Sequence, residues 1–182
     1  PGFPAAGGPL LARRKNGAPI GPDAIGQMSS GRDQPGNERV GAIPAKILLS
    51  GTYRLDHQLR PDNVPTGSLR RDDGWLVPAT PGSAGAIRVV NSTGSLVTRR
   101  GTGEDRDWLR TEGEESREPD VFGFCGGAAL LRNAALHAFG GFDLQLFPYC
   151  EDTGLSWPLP SGGCTFHYSD AAVPAPRPPG AP

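Results

Sequence analysis

The chain has 182 residues, enough for one domain with a real core. Its 18 basic and 19 acidic side chains nearly balance, which argues against a dedicated nucleic-acid binder with a basic stripe. Glycine and proline number 27 and 20, and only 36% of residues are hydrophobic, so the core must be concentrated in a few stretches separated by irregular segments.

Residues 1–38 are rich in Gly, Pro and Ala, carry a basic knot at Arg13-Arg14-Lys15, and show no sustained period. They are predicted to be a flexible or incomplete N-terminal segment. Inside it, Pro22–Met28 has the Pro and Asp that suit the first turn of a short helix. Residues 1–17 lack the apolar stretch of a secretory signal, and no apolar run approaches the roughly 20 residues that cross a bilayer. The expectation is a soluble, cytoplasmic chain.

Arg39–Leu49 has apolar ends and reads as a buried strand, with Pro44 marking an edge position or an interruption because it cannot donate to a ladder. Residues 50–86 are turn-rich and long for a connection, so an insertion or a poorly ordered loop is expected. Ile87–Val90 reads as a short strand entering the turn Asn91-Ser92-Thr93-Gly94. From Arg99 to Asp120 the charge run predicts a solvated loop in preference to a metal site.

The most informative block is Val121–Tyr168. Val121–Gly127 lets backbone pack closely around small residues, and Ala128–Leu131 is a plausible inner strand, with a continuous helix from Ala128 as the competing reading. Asn133 suits the cap of a helix reaching Phe139, which Gly140 would end in a left-handed conformation. Cys164–Tyr168 suits a final strand, and the Pro-rich tail 171–182 is expected to be extended or disordered. Cys125, Cys150 and Cys164 have no Cys-x-x-Cys spacing and no clustered His, which points to free thiols in a reducing compartment.

The order of features in this block carries a resemblance. Phe122-Gly123-Phe124-Cys125-Gly126-Gly127-Ala128-Ala129-Leu130-Leu131-Arg132 is followed by Gly140-Gly141-Phe142-Asp143, the aromatic segment Phe147-Pro148-Tyr149, and Glu151-Asp152-Thr153-Gly154-Leu155. This succession resembles the C-terminal part of family 2 glycosyltransferases. Upstream, Val40–Ile43 with Lys46–Leu49 resembles the family strand before its variable central loop, and Asn91–Gly94 with Asp105-Arg106-Asp107-Trp108 is similar to a bacterial, rhamnosyltransferase-like subgroup. The resemblance implies an α/β fold, a partial GT-A-like (Rossmann-like) domain over residues 39–170 with a mixed sheet and long irregular segments. It implies inverting transfer of a sugar from a nucleoside diphosphate sugar to a glycan or lipid-linked acceptor. A divalent cation, Mg or Mn, is implied without identified ligands, as is peripheral contact at the inner membrane face.

Such a transfer needs a base for the acceptor hydroxyl and positive charge for the departing diphosphate. By the resemblance, Asp152 is the base and Glu151 orients the acceptor or raises the base's proton affinity, while Gly126, Gly127 and Trp157 contact acceptor or substrate. The competing reading of Glu151 and Asp152 is two acids at a helix N-terminus, and of Trp157 a buried core aromatic. Asp143 reads as a turn-capping residue and His167 as a packed or surface His. The chain departs from the family pattern at Gly154, where an acid is expected, at Pro158, where an Arg is expected, and at Gly17 in the N-terminal metal segment. Pro158 should break the helix that follows Asp152. These departures predict lost donor and metal binding, so an inactive fragment acting as an interaction module, or without function, is the alternative.

Overall fold

The computed structural model describes residues 10–14, 23, 25, 26, 28, 29, 38–138, 140–143 and 151–173. The fold is mixed α/β, with a curled mixed sheet and few helices. Its strands are β1 (Leu10–Arg14), β2 (Val40–Leu48), β3 (Thr52–Asp56), β4 (Leu69–Arg71), β5 (Gly74–Ala79), β6 (Val90–Ser92), β7 (Ser95–Val97), β8 (Gly103–Asp105), β9 (Asp120–Val121), β10 (Ala128–Arg132), β11 (Thr165–His167) and β12 (Ser169–Val173).

The main sheet runs β1-β10-β2-β11-β9, and β6 and β12 also pair with β2. Long, apolar β2 is therefore the axis of the domain. On one side, Ala42–Pro44 pair antiparallel with Leu131–Ala129 of β10. Two short strands also run parallel to β2 in succession: β11 pairs with it up to Ala42, and β12 resumes at Ala45. The break falls at Ile43–Pro44, where proline has no N–H to give. Pro44 thus marks an interruption, and it does so in a central strand rather than at an edge.

β10 explains why an unbroken apolar run can be a strand. Ala128 and Leu130 pack with Val40, Ile43, Ala45, Ile47 and Met28 on one face. Ala129 and Leu131 pack with Phe124, Leu155, Cys164 and Phe166 on the other. Burial on both faces removes the usual apolar–polar alternation. The helix Asn133–Ala138 follows at once, which settles the ambiguity at Ala128 in favour of the strand. Gly140 has φ 83°, and the Gly141 N–H reaches back to the Leu136 carbonyl at 2.9 Å, so the helix closes as its glycine foretold.

Three sequence expectations are corrected. Residues 50–86 carry an antiparallel sheet of order β3-β5-β4 over its own small core of Leu76, Val89 and Leu109. Its central strand tolerates Pro78 because β4 pairs only with Gly74–Leu76, leaving one side of Pro78 open. Second, the charged stretch after Arg99 is more than a solvated loop: β8 pairs with β7, and the Asp107 side chain is only 5% exposed. Third, the chain does not end its regular structure at Tyr168, because β12 carries the start of the expected tail into the sheet.

The N-terminal expectation is modified as well. Leu10–Arg14 pairs in antiparallel register with Arg132–Ala128. Asp23, Ile25, Gly26, Met28 and Ser29 are helical, and Met28 is fully buried. The strand expected at Ile87–Val90 lies slightly later, at Val90–Ser92, preceded by single bridges at Ile87 and Val89. Asn16-Gly17, Phe147-Pro148-Tyr149, Cys150 and the tail from Pro174 lie outside the described residues. No helix among the described residues is long and apolar enough to cross a membrane.

Candidate functional site

The Gly-rich turn that precedes β10 and the helix Glu151–Ser156 are pressed together by missing side chains. A Cβ on Gly123 would lie 2.5 Å from the Ser156 Cβ, and one on Gly127 would lie 2.7 Å from the Ile47 Cδ1. Small residues were expected to permit close backbone packing here, and they do. The Phe124 N–H donates to the Ser156 Oγ at 3.4 Å, and that hydroxyl donates to the Asp152 carbonyl at 2.7 Å. The Ser95 hydroxyl completes the join by donating to the Phe124 carbonyl at 3.0 Å.

This packing sets the carboxylate of Asp152. Its Oδ2 accepts the Gly126 N–H at 2.7 Å, and its Oδ1 accepts the Thr153 N–H at 2.7 Å. Oδ1 also accepts the Thr153 hydroxyl at 3.4 Å, so Oδ2 is the oxygen that keeps a further lone pair for a ligand proton. Gly126 and Asp152, separated by 26 residues, are therefore brought into direct contact. Gly127 instead faces Ile47 and serves packing. Glu151 is 5% exposed and sits in the interior at the start of the helix.

Three further groups gather beside Asp152. Asp105, at the end of β8, lies near the side chains of Ser92 and Cys125. Gly103, two residues earlier, lies against Thr153, where an added Cβ would come within 3.5 Å of the methyl group. Burial pushes the Asp105 carboxyl up from its ordinary value, and the Asp152 charge adds to this, while the nearby polar side chains of Ser92 and Cys125 oppose it. The residue as a whole remains exposed. Burial pushes the Cys125 thiol up to about 12, with the Asp105 charge second. It is a neutral donor at physiological pH, not a nucleophile.

Sequence reasoning did not assign Asp105, Ser92 or Cys125 to a site. The available signal was the shared resemblance of Asn91–Gly94 and Asp105–Trp108 to the same subgroup, two segments that the fold brings together through the β7–β8 hairpin. All of these groups collect around the carboxyl half of β2: Ser92 pairs with Ile47, and Gly127 abuts it. The region outside the carboxyl ends of strands is where open α/β sheets commonly bind ligands.

Trp157 lies at the other end of the same short helix and is 59% exposed, so it is not a core aromatic. Pro158 starts a new turn, Pro158–Ser161, and the first helix stops at Ser156 as expected. His167 is partly exposed and pairs with Asp120 at 3.2 Å, consistent with a surface role. Cys125 and Cys164 are free thiols. Among the described residues, no three His, Cys, Asp or Glu side chains converge to hold a metal ion.

In comparisons with known proteins, no family model, no curated protein and no solved structure matches the chain. The functional reading therefore rests on the residues and their geometry.

Proposed function

We propose that the domain is the acceptor-side part of a GT-A-like glycosyltransferase, transferring a sugar with inversion from a nucleoside diphosphate sugar to a glycan or lipid-linked acceptor. The observation that carries the reading is the 2.7 Å bond from the Gly126 N–H to Asp152. It joins the two segments of the family-like succession, the Gly-rich turn and the Glu-Asp pair, at the carboxyl half of the central strand.

In this reading Asp152 is the base. Its carboxylate takes the proton of the acceptor hydroxyl as that oxygen bonds to the anomeric carbon, and the bond from that carbon to the diphosphate oxygen breaks. The backbone donors at Gly126 and Thr153 hold the carboxylate in one orientation, so little reorganisation is left for the reacting complex. Asp105 provides a second carboxyl beside the first, able to accept a hydrogen bond from another acceptor hydroxyl. Magnesium or manganese remains part of the proposal only through the resemblance, as does a membrane-surface location.

A second reading is favoured by the same two bonds. They make Asp152 a clamp between turn and helix, which an interaction module without turnover would also need. Hydrolysis and transfer assays with a panel of nucleotide sugars, each with magnesium or manganese, separate the two. The transferase reading expects Asp152→Asn to lower turnover at least about a hundredfold, the lower range for a positioned base. No turnover by the unaltered protein, together with a lowered melting temperature in Asp152→Asn, would establish the clamp instead.

A further inference from the structure

The groove under Trp157 is separate from the surroundings of Asp152. It has a volume of about 340 Å³ and is lined by Trp157, Phe122, Val121, Asp120, Thr165 and Phe166, with Cys164 at its base. That volume is at the small end of the range of about 300–1,000 Å³ typical of ligand pockets. Its chemistry is divided. The indole is exposed and is fixed edge-on against the Phe122 ring, with centroids 5.6 Å apart. Asp120 also lines the groove; its carboxylate is open to solvent and lies 3.2 Å from the His167 ring. Thr165 is also exposed on the neighbouring strand.

We infer that this groove is a binding subsite for a neutral saccharide, one or two pyranose rings in size. A pyranose has one face of C–H groups and a rim of hydroxyls. The C–H face matches an exposed, immobilised indole, and the rim matches a carboxylate acceptor held in place by its own partner. Other ligand classes match less well. Phosphates and other anions meet the Asp120 charge, and a flat aromatic ligand makes no use of the polar rim at Asp120 and Thr165. The subsite's place in a reaction, as the seat of an acceptor unit remote from the reacting hydroxyl, rests on the proposed transferase reading. Saccharide binding itself does not.

The test is a titration of the protein with di- and trisaccharides of glucose, galactose, mannose and N-acetylglucosamine, following the tryptophan indole N–H signals by NMR. The expected result is a saturable shift of the Trp157 signal, with binding weakened about tenfold in Trp157→Ala and restored in part by Trp157→Tyr. Trp108→Ala, which removes another exposed indole, should leave binding unchanged. Asp120→Asn should weaken binding less than Trp157→Ala, since an amide oxygen still accepts. If no saccharide of the panel shifts Trp157, or if Trp157→Ala binds as the unaltered protein does, the subsite is refuted. Turnover sensitive to Asp152→Asn without such binding would remove the subsite and keep the transferase. Binding at Trp157 in a protein that turns over no donor would do the reverse.

Discussion

Gly123→Ala is the sharpest test of how the site is assembled. Gly123 has no left-handed backbone conformation to protect, so the substitution acts through volume alone. The added methyl would lie 2.5 Å from the Ser156 Cβ and still closer to its hydroxyl. Neither is the tip of a flexible side chain, so the helix Glu151–Ser156 has to move. Overpacking of this kind costs about 1–3 kcal/mol. Loss of the Phe124 N–H bond to the Ser156 Oγ adds about 0.5–1.5 kcal/mol. A total of about 1.5–4.5 kcal/mol lowers the melting temperature by roughly 3–18 °C for a chain of this size. Ser156→Gly removes both obstructing atoms, so the double variant should recover about 1–2 kcal/mol relative to the sum of the single changes. Gly127→Ala is the control. Its clash is with the end of the Ile47 side chain at 2.7 Å, which can rotate, and the cost should stay below about 1 kcal/mol. Calorimetry on the four variants gives the numbers. A Gly123→Ala protein within about 0.5 kcal/mol of the unaltered one would refute the close packing of turn on helix, and with it the positioning of Asp152.

Two other consequences are open to measurement. Asp107, at φ 61°, accepts the Thr93 hydroxyl at 2.6 Å and the Ser116 N–H at 3.2 Å and lies 3.6 Å from the Arg106 guanidinium. Asp107→Ala should cost about 2–3 kcal/mol in denaturant unfolding, because it removes the neighbouring carboxylate of a largely buried Arg106, which keeps only its bonds to Thr93 and the Glu118 carbonyl and its contact with Tyr168. Asp107→Asn should recover at least half of that, since Asn tolerates the left-handed backbone and still accepts one bond. The Cys125 thiol, pushed up to about 12 in the fold from 9.0, sets a pH dependence. Above about pH 9 the unfolded chain loses this proton and the folded one keeps it, so stability falls as pH rises. Relative to Cys125→Ala, the unaltered protein should lose on the order of 1 kcal/mol per pH unit between about pH 9 and 12. Parallel slopes for the two proteins would show that the thiol is not shielded.

The parts of the fold that were legible from the sequence are those where a local rule meets no competitor. The apolar run Ala128–Leu131, the glycine that ends the following helix, the break at Pro44 and the helix stop before Pro158 each follow from backbone chemistry within a few residues. The sheet of residues 52–79 was not legible. Its strands are short, mostly half-buried and interrupted by Pro78, and their stability comes from pairing across register rather than from their own pattern. Pro44 shows the limit of a local rule, because the missing donor predicted a break but not that the strand would be central.

The candidate site divides along the same line. The sequence by itself determined that an acidic pair follows a Gly-rich segment, and that small residues there permit close packing. Only the tertiary structure decided which members meet: Gly126 on Asp152, Asp105 beside them with Ser92 and Cys125, Glu151 inside, and Trp157 outside on its own groove. The reason is physical. Glycine spacing and charge are properties of the chain, whereas the 2.7 Å contact between residues 126 and 152 exists only once β10 is buried on both faces and the helix is seated against Gly123.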